Sequence, residues 1–104
     1  MRMLPIGLAA LTALAVVAAA AQSPDPNLAR NLAASCANCH GTGGVSQGGT
    51  EPLAGMAKST MISKLQEFKS GAKPASIMHQ LSKGYTDEQL ALIAGWFSEQ
   101  KAPK

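Results

Sequence analysis

The most restrictive feature of this sequence is how few large apolar side chains it offers for a core. Its 104 residues include one Trp, one Tyr and two Phe, although 46% of them count as hydrophobic. A chain this short buries only about two-thirds of its unfolded surface, and small domains often need an additional staple. A second domain, a large substrate cavity and an aromatic-rich β-sandwich are therefore disfavoured, and some other group must complete the core.

Much of the hydrophobic content lies at the N-terminus. No charged side chain occurs from 3 to 22, directly after Arg2. A short positive start, an alanine-rich apolar run and small residues at 19–21 are typical of a cleaved secretory signal, although an uncleaved anchor would have a similar length. We expect a signal peptide over 1–21 and an exported, periplasmic domain over 22–104.

The charge pattern of the chain argues against nucleic-acid binding. Nine Lys and Arg residues face six Asp and Glu, which gives a formal charge of +3 that falls to +2 once Arg2 is removed. The lysines are scattered, and no dense basic run carries interleaved aromatics. A solvated surface is the simplest interpretation, and a docking patch for an acidic partner is the alternative.

The first part of the predicted domain reads as a helix followed by a loop. Asp25 can cap a helix that has Pro26 at its first position. Three residues at helical spacing then share one face: Leu28, Leu32 and Cys36. The segment 41–55 holds six glycines and has no helical period, so we predict a loop there. It lacks the lysine and the preceding strand of a phosphate-binding loop.

Three further helices are predicted in the second half. One spans about 59–70 and ends at Gly71, and a short one covers 76–83. The last begins with a capping box formed by Thr86 and Gln89. Its apolar face comprises Leu90, Ile93, Ala94 and Phe97. No strand of useful length is evident, so the predicted class is all-α, with four to five short helices.

The chemistry of the chain is concentrated in Cys36-Ala37-Asn38-Cys39-His40, which contains both cysteines. A thioredoxin-like redox pair would need a βαβ context that is absent from the pattern. Structural zinc would need Cys36, Cys39, His40 and His79 to close a tetrahedron, which adjacent ligands make awkward. The third interpretation is covalent haem attachment, for which C-x-x-C-H is the signature.

The spacing favours haem. Residues at i and i+3 share a helix face, so Cys36 and Cys39 can both reach one edge of a porphyrin. His40 then lies below the ring and can ligate the iron. A haem c is therefore the predicted cofactor, and it would supply the large apolar body that the core lacks. We expect Leu32, Leu53, Leu65, Phe68, Ile77 and Phe97 to pack around it.

A second axial ligand has to come from elsewhere in the chain. Met61 belongs to the apolar face of a helix, which favours core packing, and Met56 is close in sequence to His40. Met78 follows the break at Pro74 and is far enough along the chain to reach the opposite ring face. We therefore favour Met78, with the neighbouring His79 as the alternative, because methionine and histidine both ligate haem iron.

These features resemble a class I c-type cytochrome over nearly all of the predicted domain. In that family a loop proline carbonyl accepts a hydrogen bond from the haem-binding histidine, and Pro52 matches that position. The resemblance also implies that Leu53 packs on the ring. Trp96 is similar to the aromatic residue at which the first and last helices of the family cross. The resemblance further implies that Phe97 packs towards the haem.

A narrower resemblance, to cytochrome subunits of flavocytochrome c sulfide dehydrogenases, rests on segments 68–71, 77–78 and 83–89. It implies a monohaem electron carrier, not an enzyme, that accepts electrons from a flavoprotein. The alternatives are a free shuttle to a terminal oxidase and, with less support, a haem sensor or peroxidase-like protein. We expect Tyr85 to pack in the core, with contact to a haem propionate as its other role.

Overall fold

A computed structural model describes residues 25–102 of the chain, and within that part all regular structure is helical. The elements in chain order are α1 (Leu28–Ala33), α2 (Ala37–His40), a 3-10 turn (Thr42–Gly44), α3 (Lys58–Ser70), α4 (Met78–Lys83) and α5 (Asp87–Ser98). The predicted signal peptide over 1–21 lies outside the described residues. Within the described part, no helix has the length and apolar character needed to cross a bilayer.

Helix α5 matches its prediction most closely. Thr86 Oγ1 accepts a hydrogen bond from Gln89 N at 3.1 Å, and Gln89 Oε1 accepts one from Thr86 N at 2.9 Å. This reciprocal pair is the predicted capping box. The predicted apolar face is fully buried: Leu90, Ile93, Ala94 and Phe97. Helices α1 and α3 pack on α5, and α4 packs on α3.

Helix α1 packs on α5, and two residues of the predicted face, Leu32 and Cys36, pack against the core. The third residue of that face, Leu28, is 41% exposed, whereas Ala33 is 1% exposed. Alanine at the contact lets the two helices approach closely, and a leucine there would hold them apart. The helix also begins later than predicted, because Asp25 Oδ1 accepts a hydrogen bond from Asn27 N at 2.8 Å and forms a turn before Leu28.

The glycine-rich loop contacts α5 at both of its ends: Gly55 N donates to Phe97 O at 3.0 Å, and Gly44 lies close to the Phe97 ring. Gly44 has a φ of +81°, and its carbonyl accepts hydrogen bonds from Leu53 N at 2.9 Å and Ala54 N at 3.1 Å. A Cβ at this position would lie 2.7 Å from Ala54 N and 2.8 Å from Phe97 Cδ1. Only glycine fits both the backbone conformation and the space, so this residue determines how closely the loop approaches α5.

Helix α3 packs against both α4 and α5. Met61 is 3% exposed and belongs to the core, as predicted, and the helix ends at Gly71 with a φ of +83°. Near that end, Lys69 Nζ donates to Tyr85 O at 2.9 Å and to Asp87 Oδ1 at 3.0 Å. These contacts join the end of α3 to the start of α5, with α4 lying between them in the chain.

Candidate functional site

A cavity of about 440 Å³ lies between the Cys36–His40 motif, the glycine-rich loop and helices α3, α4 and α5. Its volume is in the range of about 300–1,000 Å³ that small-molecule and cofactor sites occupy. Of the predicted site residues, five line this cavity: Cys36, Cys39, His40, Leu53 and Met78. The fold therefore brings together residues that are up to 42 positions apart in the sequence. Pro52 is not part of the wall.

The two cysteines line the cavity from α2, Cys36 directly before the helix and Cys39 as its third residue. Cys36 is the N-cap residue of this helix and is partly buried, whereas Cys39 is exposed, and both are free thiols. Burial raises the pKa of the Cys36 thiol above its ordinary value. Both sulfurs thus belong to one wall of one cavity, as the predicted covalent attachment requires.

His40 is oriented by a backbone carbonyl. Its Nδ1 lies 2.6 Å from Glu51 O, and because a carbonyl only accepts, Nδ1 must carry the proton. The lone pair of the neutral imidazole is then on Nε2, which is the state that a metal-ligating histidine needs. The imidazole is therefore held in a single tautomer before any ligand is considered.

The carbonyl that binds His40 differs by one residue from the one expected. The acceptor is the oxygen of Glu51 and not that of Pro52. A residue before proline is restricted to extended conformations, and successive carbonyls of an extended chain point in different directions. Only one of the two carbonyls can therefore face the ring. The proline still matters to this geometry, because it restricts the backbone of Glu51.

Helix α4 presents one side to the cavity. Met78, Leu81 and Ser82 line it at positions i, i+3 and i+4, which share a helix face. His79 is not part of the wall, and its buried Nδ1 has no hydrogen-bond partner among the described residues. Met56 and Met61 also line the cavity, the latter from within the core cluster. Sequence reasoning did not place Met56 and Met61 at the cavity.

Large apolar side chains are exposed where they border the cavity. Ile77 is 53% exposed and Leu81 is 46% exposed, and both line it. Exposed apolar side chains grouped around a concave site mark a surface that a ligand covers. The wall also includes the predicted Leu53, Leu65 and Phe68. The apolar lining thus fits a large, flat apolar cofactor.

Two residues expected around the cofactor pack elsewhere. Phe97 is fully buried, and its ring meets that of Trp96 edge-on with centroids 5.0 Å apart. Leu32 packs against the core cluster. Neither lines the cavity, because both side chains pack within the core cluster around α5. Leu90 and Ile93 line it instead, from the same helix as Phe97.

Several polar residues of the cavity wall were not singled out by the sequence. Ser35 Oγ lies 2.6 Å from Tyr85 OH and donates to Leu32 O at 3.2 Å, so the serine accepts the tyrosine proton. At the rim, Lys64 Nζ forms an ion pair with the Glu51 carboxylate. Ser82 Oγ is buried and has no partner in the part of the chain that the structure describes. Such long-range pairings leave no periodic signal in the sequence.

Comparison with known proteins gives a consistent result. The cytochrome c family model matches residues 27–100. The chain is 38% identical over 66 residues to the "Cytochrome subunit of sulfide dehydrogenase" of Chlorobaculum tepidum, a match that covers 64% of this chain and 60% of that protein.

Two more distant relatives carry the name "Thiosulfate dehydrogenase electron acceptor". The protein from Thiomonas intermedia is 32% identical over 71 residues, or 66% of this chain and 33% of the relative. The protein from Stutzerimonas stutzeri is 31% identical over 77 residues, or 72% of this chain and 36% of the relative. The matches therefore span between about one-third and three-fifths of the length of these relatives.

Proposed function

The chain belongs to the cytochrome c family, and on that premise we propose that it carries single electrons between proteins outside the cytoplasm. Family membership confirms the predicted all-α cytochrome c fold and the predicted haem c, and it supports the proposed role as an electron carrier. Haem c supplies a one-electron iron couple, and the protein supplies its attachment, orientation and electrostatic surroundings.

The proposed attachment uses Cys36 and Cys39 as thioether links and His40 Nε2 as one axial ligand. One observation carries this assignment: the Nδ1 proton of His40 is donated to Glu51 O at 2.6 Å, which in the neutral imidazole leaves the lone pair on Nε2. Leu53 lines the same cavity and is proposed to pack on the ring. Pro52 would act through the backbone conformation that it imposes on Glu51.

Met78 is proposed as the second axial ligand. It lies on the cavity face of α4, whereas the alternative, His79, is not part of the wall. Met61 is a less suitable ligand because it is 3% exposed within the core cluster. A methionine–histidine pair would raise the reduction potential relative to a bis-histidine pair and would leave no open position for a substrate.

Absorption spectra of variants test this ligand set. Met78→Ala should abolish the weak red-edge band of methionine-ligated ferric haem, whereas the neighbouring variant His79→Gln should retain it. A pyridine haemochrome spectrum should show one haem c per chain. Survival of the red-edge band in Met78→Ala would exclude Met78 as the ligand.

Binding of carbon monoxide distinguishes a carrier from a haem sensor or peroxidase-like protein. A reduced carrier with two strong axial ligands should bind carbon monoxide slowly or not at all at neutral pH. A sensor needs a weak or absent second ligand and should bind it rapidly. Rapid binding by the unaltered protein would therefore overturn the carrier proposal.

The proposed electron donor is a flavoprotein that oxidises sulfide, because the relative from Chlorobaculum tepidum is the cytochrome subunit of a sulfide dehydrogenase. A thiosulfate-oxidising dehydrogenase is the second candidate, since two relatives are electron acceptors of such enzymes. Capture of the haem protein from native periplasm should co-purify flavin. A flavin-free complex that reduces the haem with thiosulfate would favour the second candidate, and reduction by neither would favour a free shuttle to a terminal oxidase.

Export to the periplasm is the remaining part of the proposal. It rests on the sequence of the first 21 residues, for which a cleaved signal peptide is predicted. N-terminal sequencing of the protein from the periplasmic fraction should give Gln22 as the first residue. A start at Met1 in the membrane fraction would indicate a retained anchor.

A further inference from the structure

We propose that Lys64 is a positioning residue for His40, acting through the ion pair that it forms with Glu51. The inference rests on the proposed role of His40 as an iron ligand. Glu51 binds two different residues: its backbone carbonyl accepts the His40 Nδ1 proton, and its side-chain carboxylate binds Lys64 Nζ. One residue thus connects the ring of His40 to helix α3.

The need for such a connection follows from the loop in which Glu51 lies. The segment 47–50 consists of bends, and no helix or strand includes residues 45–57. Within the described chain, two side-chain contacts tie Glu51 to other elements, one to His40 and one to Lys64. The nearest backbone hydrogen bonds on its C-terminal side begin at Leu53, which donates to Gly44 O. Without the ion pair, the carbonyl of Glu51 would be held by the His40 bond alone.

Lys64 is well placed to hold the loop because its helix is a rigid part of the site. Helix α3 runs over thirteen residues, and Met61, one turn before Lys64, is buried in the core. Lys64 and Glu51 both line the cavity, with side chains 31% and 47% exposed. An ion pair this exposed contributes little to overall stability, so its effect should be found in the geometry of the site.

The expected consequence concerns the strength of the His40 hydrogen bond. A carbonyl that accepts the Nδ1 proton orients the imidazole and raises its basicity as a ligand, which favours the oxidised iron. Releasing the Glu51 side chain should weaken this bond in both oxidation states. The Nδ1 proton should then exchange faster with water, and the reduction potential should rise.

Hydrogen exchange of the His40 Nδ1 proton is the direct test. The chain has two histidines, so ¹⁵N-histidine labelling of the haem-loaded protein in a His79→Gln background isolates the signal of His40. Lys64→Ala and Glu51→Gln should each accelerate exchange several-fold, and the double variant should do so by the same factor as either single variant. Lys64→Arg should restore slow exchange. The matched control is Lys58→Ala, which removes a lysine from the same helix but not from the cavity wall.

The reduction potential separates positioning from direct electrostatics. Removing the Lys64 charge should by itself lower the potential, and removing the Glu51 charge should raise it. In the double variant these charge effects oppose each other, so a raised potential together with faster exchange supports positioning. Exchange rates and a double-variant potential equal to those of the unaltered protein would overturn the proposal. A separate variant, His40→Ala, tests the ligand assignment: an unchanged low-spin haem spectrum would overturn that assignment and not merely the role of Lys64.

Discussion

The contact between α1 and α5 and the cavity beside α4 use apolar residues in opposite ways. In the core cluster around this contact, Ala33, Ala94 and Phe97 are at most 1% exposed, so the polypeptide completes this part of the core by itself. At the cavity, Ile77 and Leu81 are about half exposed. The comparison indicates that the polypeptide fills one region by itself, whereas the cavity, although Phe68 and Tyr85 line it, leaves apolar side chains for the proposed haem to cover.

The largest effect should come from preventing haem attachment. In Cys36→Ala/Cys39→Ala the cavity half loses the body that covers its apolar wall, and so small a domain has little stability to spare. We expect the variant to be largely unfolded, with most of its helical circular dichroism lost. Native helicity in this variant would show that the α1–α5 contact suffices to fold the chain.

The next largest effect should come from truncating a side chain of the core cluster around α5. Phe97→Ala removes a fully buried ring that contacts Trp96, and such truncations cost about 3–5 kcal/mol. Denaturant unfolding of the haem-loaded protein should show this loss of the free energy of unfolding. Because Phe97 is not part of the cavity wall, the haem spectrum of the folded variant should stay unchanged. A changed red-edge band would show that packing of Phe97 in the core cluster affects the cavity.

Truncation of two similarly exposed apolar side chains, one at the cavity and one away from it, provides a finer comparison. Ile77 and Leu28 are 53% and 41% exposed, but only Ile77 lines the cavity. If haem covers Ile77, then Ile77→Ala should cost about 1–3 kcal/mol in the haem-loaded protein, whereas Leu28→Ala should stay within about 0.5 kcal/mol of zero. Equal costs in denaturant unfolding would mean that Ile77 is not covered.

The smallest effect should be a pH dependence at the junction of α3 and α5. A hydrogen bond from Gln66 and, in addition, Lys69 hold the pKa of the Asp87 carboxyl below its ordinary value. A lowered pKa in the folded state contributes stability above the unfolded pKa of about 3.9, and this contribution is lost as the pH falls through the lower folded value. Asp87→Asn should therefore flatten the acid side of a plot of Tm against pH. An unchanged slope of Tm against pH would show that the contacts of Asp87 with Gln66 and Lys69 do not contribute to stability.

Several elements could be predicted because their signals are local. The capping box of α5, the glycine that ends α3 and the C-x-x-C-H motif each involve residues within one or two helical turns. The hydrogen-bonding or steric requirement is then visible in the spacing itself. The same holds for the apolar face of α5, whose four predicted residues are all buried.

Other predictions were wrong where two apolar faces competed. Leu32 was expected at the cofactor and packs instead against the core cluster. Phe97 was expected at the cofactor and lies instead in the buried core, against Gly44 of the loop. Periodicity identifies an apolar residue but does not say which neighbouring element reaches it first.

The sequence by itself determined the helical class, the order of the helices and the cofactor, because capping, periodicity and the motif act over short distances. Only the tertiary structure decided that the Glu51 carbonyl, and not that of Pro52, binds His40, and that Lys64 holds the Glu51 side chain. It also separated Met78, on the cavity wall, from its neighbour His79. These outcomes depend on the directions of single carbonyls and side chains after the helices have packed, and residue spacing carries no information about them.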